Sequence, residues 1–182
     1  MNFCSRCAAP VTLRIPPGDN RERFVCDACE TIHYQNPRIV TGVLPAWKDQ
    51  VLLCKRAIEP RAGYWTLPAG FMENGETIAG GAARETLEEA NARVENLSLY
   101  TVFSLPHISQ VYTFYRADLS DLDFSAGTET LALDLFTEDA IPWDELAFPV
   151  ITRTLQHFFA ERTSGDFSVL YEEINLKPRG RS

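Results

Sequence analysis

The stretch from Gly70 to Ala92, GFMENGETIAGGAARETLEEANA, constrains this chain more than any other, because it sets a cluster of glutamates and one arginine behind a glycine-rich approach. The sequence predicts a helix from Thr77 to Ala90. At about 100° per residue, Glu85, Glu88 and Glu89 then share one arc, and Ala79, Ala82, Ala83, Thr86, Leu87 and Ala90 fall on the opposite, buried side. Like charges at these spacings repel by a few tenths of a kcal/mol per pair, so the helix needs a positive partner. Hard Mg2+ or Mn2+ suits carboxylates and keeps positions for water and substrate phosphates. For an isolated E-x-x-E-E, a solvated helix face is the commoner outcome.

The longer frame decides between them. Gly70, five residues, Glu76, seven residues and then Arg84-Glu85-Thr86-Leu87-Glu88-Glu89 resembles the Nudix box, G-x5-E-x7-R-E-U-x-E-E-x-G-U, at every charged position. Thr86 stands where an aliphatic residue is usual and Asn91 where a second glycine is usual. Neither change removes a carboxylate, and Asn tolerates the left-handed conformation that ends a helix. The lead-in Tyr64-Trp65-Thr66-Leu67-Pro68-Ala69-Gly70 also resembles that of Nudix proteins, with Ala69 replacing a glycine.

Length and composition set bounds around this centre. A chain of 182 residues, 45% hydrophobic, can bury one sizeable core with a small appendage. The formal net charge of −8 argues against a broad nucleic-acid surface, so nucleic acid is not an expected partner. No apolar run approaches 18 residues and MNFCSRCAAP lacks a signal-type hydrophobic region, so the expectation is a cytoplasmic protein with reduced thiols and no membrane partner.

Four cysteines form Cys4-x-x-Cys7, eighteen residues, Cys26-x-x-Cys29, a spacing that brings two knuckles around one tetrahedral zinc. Disulfides are the alternative, disfavoured by a reducing compartment. With Pro10, Pro16, Pro17 and Gly18 between the pairs, the segment resembles a zinc ribbon, which about 35 residues need because their core is too small. Cys54 reads as a small core residue.

Further along, Ile39–Ala46 and Val51–Arg56 read as a hairpin, with Lys55 or Arg56 placed to reach substrate phosphate. Strands are predicted over Val94–Leu105, Gln110–Leu119 and Leu131–Phe136, a short helix at Trp143–Leu146, and a longer helix at Pro149–Arg162 with Ile151, Leu155, Phe158 and Phe159 inward. Phe167–Tyr171 is a further strand without an identifiable partner. The predicted boundaries are a ribbon over 1–35, a catalytic domain over 36–163 and a tail over 164–182.

The resemblance covers roughly residues 1 to 162. It implies an α/β fold, the Nudix α/β/α sandwich with a mixed sheet, and a pyrophosphohydrolase that cleaves nucleoside diphosphate-linked compounds. It also implies that Glu85, Glu88 and Glu89, with the Gly70 carbonyl and Glu129, hold Mg2+ or Mn2+, that Arg84 orients a glutamate such as Glu76, and that Glu88 or Glu89 is the base. A ribbon ahead of this domain resembles the NADH pyrophosphatases, but their S-Q-P-W-P-F-P-x-S element is absent after the box. Tyr34-x-Asn36-Pro37, Leu105-Pro106-x-x-Ser109-Gln110 and Ile141-Pro142-Trp143-x-x-Leu146-Ala147-Phe148 instead look like the group linked to FAD and ADP-ribose. The expected order is a flavin dinucleotide such as FAD, then ADP-ribose, then NADH. Tyr64, Trp65, Phe71, Tyr112 and Phe114 could wall the base or flavin. A homodimer is expected, built from the ribbon and the unpaired Phe167–Tyr171 strand. The reading from another class is a ribbon that binds RNA or protein on a Nudix scaffold, against which the intact box glutamates argue.

Overall fold

The computed structural model describes residues 1–175, which form two units, Met1–Pro37 and the chain from Arg38 onward. In the first unit, β1 (Val11–Arg14), β2 (Arg23–Cys26) and β3 (Ile32–His33) make an antiparallel sheet in that order. Pro16, Pro17 and Gly18 end β1 and turn the chain, Gly18 taking φ +83°. Ala8 and Glu30, each directly after the second cysteine of a knuckle, adopt positive φ. Its buried apolar residues are Cys4, Val25 and Cys26 with Pro16, too few to hold such a fold by burial.

In the second unit, the hairpin of β4 (Arg38–Trp47) and β5 (Gln50–Arg56) forms as predicted but is paired only at Ala46↔Val51 and Trp47↔Gln50. Beyond that the strands diverge. The gap is filled by β6 (Trp65–Thr66) on β5 and β7 (Ala69–Phe71) on β4, which brings Gly70 between the two strands. Gly42 allows this wedge, since a Cβ there would meet the Pro68 carbonyl at 2.5 Å.

Helix α1 (Ile78–Ala90) follows. Its N-cap Thr77 accepts from Gly80 N at 3.0 Å, and Asn91 sits left-handed at φ 47° and donates to the Leu87 carbonyl, as the box with Asn91 in place of glycine requires. β8 (Val94–Leu105), β9 (Gln110–Leu119), β10 (Thr130–Phe136) and β11 (Leu170–Glu173) complete a mixed sheet ordered β10-β5-β4-β9-β8-β11, in which β9 runs parallel to β4. Helix α2 (Pro149–Glu161) packs Ile151, Leu155 and Phe158 on one face with Leu44, Phe103 and Phe114. On the other, Ala82 of α1 meets Val43 and Ala117, so the sheet is sandwiched between helices.

Three expectations need correction. On α1, Leu87 is exposed while Glu89 is buried, because the inward arc is Gly81, Ala82, Thr86, Glu89 and Ala90. The predicted helix at Trp143–Leu146 is a single 3-10 turn, Trp143–Glu145. The last strand begins later than predicted, and its partner is identified: β11 pairs in parallel with Thr101–Ser104 of β8 and ends the strand order. Among the described residues no helix is long and apolar enough to cross a membrane.

The return of the chain to β11 is fastened by Glu161. Its carboxylate accepts from Tyr100 Oη at 3.0 Å and from Ser168 N and Oγ, and Phe167 stacks on Phe158 at 5.9 Å. Burial alone would raise this carboxyl, but the bonds from Ser168 and Tyr100 and the nearby His157 hold it below the ordinary carboxylate value of 4.5. A depressed native value means that its stabilisation is full above about pH 4.5 and is lost as pH falls through the native value. Urea midpoints should therefore drop from pH 6 to pH 3 more steeply in the native protein than in Glu161→Gln. Equal slopes would contradict the assignment.

Candidate active site

The wedge of β6 and β7 puts the Gly70 backbone directly against α1. A Cβ at Gly70 would fall on the Glu85 carboxyl, so any side chain there would displace that carboxylate. One step earlier, Ala69 N donates to Glu89 Oε2 at 3.2 Å. Glu85, Glu88 and Glu89 thereby line one end of a cavity of about 1390 Å3, together with Gly70 and Glu129.

Arg84 ties the acids together. Nε and Nη2 grip both oxygens of Glu76 at 3.0 and 2.9 Å, Nη1 reaches Glu85 Oε1 at 2.8 Å and Glu88 Oε2 at 3.0 Å, and Nη2 also meets the Phe71 carbonyl at 3.2 Å. Arg84 and the Glu73 amide hold Glu76 down to about 2, so this glutamate is a fixed anion that positions the arginine. Glu76 itself does not line the cavity.

Glu85 and Glu89 are less fully compensated. Burial pushes Glu89 up to about 7 despite the Ala69 amide, with Glu85 and Glu129 adding repulsion. Burial raises Glu85 as well, although Arg84 opposes it. A group of hard oxygen donors in excess of its countercharge, buried at Glu89 and open to the cavity at Glu88 and Glu129, suits a divalent cation, and Glu85, Glu88, Glu89, Glu129 and the Gly70 carbonyl are the residues available to hold one.

Glu129 reaches the site through the loop before β10. This loop caps the end of α1, with Gly127 N donating to Glu89 O and Ser125 N to Ala90 O, both at 2.9 Å. A Cβ at Gly127 would collide with the Glu88 carbonyl. Gly127→Ala should push the loop away, withdraw Glu129 and lower kcat about tenfold while the far-UV spectrum is kept. Unchanged kinetics would show that Glu129 is not needed.

The rest of the wall is apolar and cationic. Arg56, Phe71, Tyr112 and Phe114 line the cavity, as the sequence predicts for these four. Tyr64 and Trp65 do not. Alternation along β6 turns Thr66 to the cavity and Trp65 away, edge-on to Phe136 at 4.9 Å, and Tyr64 lies under the Arg61 guanidinium. Lys55 is paired with Trp65 and lies over its ring, outside the cavity. Cys54 is 1% exposed, in the core. The sequence reading missed Arg38 and Phe148, which the cavity gains from the start of β4 and the N-cap of α2. Continuing the β4 alternation one step back from Val40 would have found Arg38.

In the first unit the Cys4, Cys7, Cys26 and Cys29 sulfurs lie within 4.8 Å of one another, with Cys7–Cys26 at 3.5 Å and Cys4–Cys29 at 3.7 Å. Four sulfurs about 2.3 Å from a tetrahedral zinc stand about 3.8 Å apart, so the quartet fits that ion.

A fold that splits β4 from β5 to set a glycine against three helix glutamates, behind a four-cysteine ribbon, defines a zinc-ribbon Nudix hydrolase. The family model described as Nudix N-terminal matches residues 2–35 and that of the NUDIX domain residues 36–158, and the chain belongs to this family. The NAD-capped RNA hydrolase NudC of Klebsiella pneumoniae subsp. pneumoniae is 30% identical over 142 residues, 77% of this chain and 53% of that protein. The NudC of Vibrio vulnificus is 31% identical over 144 residues, 78% and 53%. The chain thus spans about half the length of these curated relatives. A NUDIX hydrolase from Nitrosomonas europaea, solved by crystallography, is 56% identical with a TM-score of 0.93, covering 97% of this chain and 100% of that one. An ADP-ribose pyrophosphatase from Streptococcus suis, 20% identical with a TM-score of 0.60 over 76% and 100% of the chains, shares the fold.

Proposed function

We propose that this protein hydrolyses the diphosphate linkage of a nucleoside diphosphate compound in which a second, ring-bearing group lies beyond the linkage. The observation that carries this reading is one cavity that holds both the surplus carboxylates and an aromatic wall of Tyr112, Phe114 and Phe148. Its volume of about 1390 Å3 exceeds the 300–1,000 Å3 typical of sites for drug-sized ligands, which suits a dinucleotide.

Glu89, deepest of the helix carboxylates and held by the Ala69 amide, takes the proton of the attacking water. The water oxygen bonds to one phosphorus, the bridging P–O bond breaks, and a nucleoside 5′-monophosphate leaves. Glu88 is mostly exposed and tied to Arg84, so it steadies the cluster. Divalent cations held by Glu85, Glu88, Glu89, Glu129 and Gly70 would supply polarisation of the phosphoryl oxygens and a more acidic water. The ribbon residues Cys4, Cys7, Cys26 and Cys29 would hold zinc, a structural role.

Similarity to proteins named NAD-capped RNA hydrolases supports an NAD-type substrate ahead of FAD and ADP-ribose, and it removes the ground for setting nucleic acid aside on net charge alone. With Mg2+ present, FAD, ADP-ribose, NADH and an NAD-capped RNA are each offered and the products separated by chromatography. A 5′-monophosphate product is expected from at least one of them. Binding without turnover of any would favour the reading as a ribbon-bearing binding module. A homodimer is proposed through the ribbon or through β11, which pairs with β8 on one side and ends the strand order on the other. Light scattering should return twice the 20.5 kDa chain mass if that assembly forms.

A further inference from the structure

The cavity holds two kinds of arginine. Arg84 has its fork committed to Glu76, Glu85 and Glu88. Arg38 and Arg56, among the described residues, form no salt bridge, although the protein carries a net charge of −8 and both line the same cavity as the carboxylates. Each instead lies over an aromatic ring, Arg38 at 4.7 Å from the Phe71 centroid and Arg56 at 5.3 Å from that of Phe148. A guanidinium stacked on a ring has its plane fixed while its N–H edge stays open to a two-oxygen acceptor. For Arg56 the plane is fixed again by Nε donating to the Pro60 carbonyl at 2.9 Å, which leaves the two terminal nitrogens for a ligand.

The two forks come from different strands of the wall, Arg38 from the start of β4 and Arg56 from the end of β5. In the parallel β4–β9 pair, Arg38 is opposite Gln110 and Val40 opposite Tyr112, so the period of two places all four on the cavity face. The charge of Arg56 bears on both Glu89 and the Tyr112 phenol, whereas that of Arg38 bears on Tyr112. Arg38, which is exposed, thus stands over Phe71 at the start of β4, and Arg56 stands over Phe148 at the end of β5, each on its own ring of the cavity wall.

We propose that Arg38 and Arg56 are a pair of phosphate forks, Arg56 taking oxygens of the scissile diphosphate and Arg38 a phosphate carried further out on the substrate, as on a phosphorylated ribose. This rests on the reading of the cavity as a nucleoside diphosphate site and adds the class of substrate it prefers. A site with only one anion to hold needs one uncommitted fork. Two forks spaced along one wall match a ligand with two separated anionic groups.

The test is a pair of ligands that differ by one phosphate, NADH and NADPH, bound to Mg2+-loaded Glu89→Gln protein in calorimetry, alone and with Arg38→Gln or Arg56→Gln. Arg56→Gln should weaken both ligands about tenfold, the scale of one lost charge-assisted pair. Arg38→Gln should weaken NADPH about tenfold and leave NADH within about twofold. Equal weakening of both by Arg38→Gln would place that residue on the diphosphate and overturn the outer site, and no change in either variant would overturn both assignments. Turnover by the unmodified protein is read separately. Should it cleave no diphosphate compound, the proposed function fails. Should it cleave them while the variants bind as the parent does, only this inference fails.

Discussion

Glu89→Gln should lower kcat at least about 100-fold and leave the fold intact. The side chain is 9% exposed and accepts a hydrogen bond from the Ala69 amide. An amide of the same shape fills the space and removes both the proton acceptor and the negative charge. It also relieves the repulsion from Glu85 and Glu129 that, with burial, pushes this carboxyl up to about 7. Activity and stability should therefore move in opposite directions, with kcat falling and Tm holding or rising. Glu88→Gln is the contrast. That side chain is 58% exposed and answers to Arg84, so a smaller loss is expected. The reverse order of the two losses would move the proton-accepting role to Glu88.

Cys26→Ser should abolish zinc retention and unfold the 1–37 unit. Structural zinc in comparable four-ligand sites supplies about 10–16 kcal/mol of apparent binding energy, far more than burial of Val25 and two cysteines can replace. Metal analysis of the parent should find about one zinc per chain, and of the variant none. Because Glu85, Glu88 and Glu89 lie on α1 of the other unit, no catalytic group is removed. A parent that binds no zinc, or a variant with unaltered melting, would contradict the assignment.

What could be read from the sequence was whatever a local period or a fixed spacing encodes. The β8 and β9 boundaries, the Asn91 cap and the cysteine quartet all came from such signals. The bidentate grip of Arg84 on Glu76, eight residues apart, came from the family frame and is present in the structure. What was not legible depends on long-range pairing. The burial of Glu89 follows from the wedge of β7 against α1, and the partner of β11 lies near residue 102, far back along the chain. Trp65 was misplaced because a two-residue strand carries no period to show which side faces inward. Arg38 was missed because the predicted strand begins at Ile39, whereas β4 begins one residue earlier, with Arg38 opposite Gln110.

The central claim is that the carboxylates around Gly70 work on a diphosphate through bound divalent cations. The most direct test measures the initial rate of 5′-monophosphate release from the best of the offered diphosphate substrates as free Mg2+ is titrated, then removed by chelator and restored. The rate should rise from near zero to saturation with Mg2+, vanish with chelator, return on addition of Mg2+ or Mn2+, and stay at least about 100-fold lower throughout in Glu89→Gln. A rate that survives the chelator, or that Glu89→Gln and Glu88→Gln both leave intact, would contradict the account.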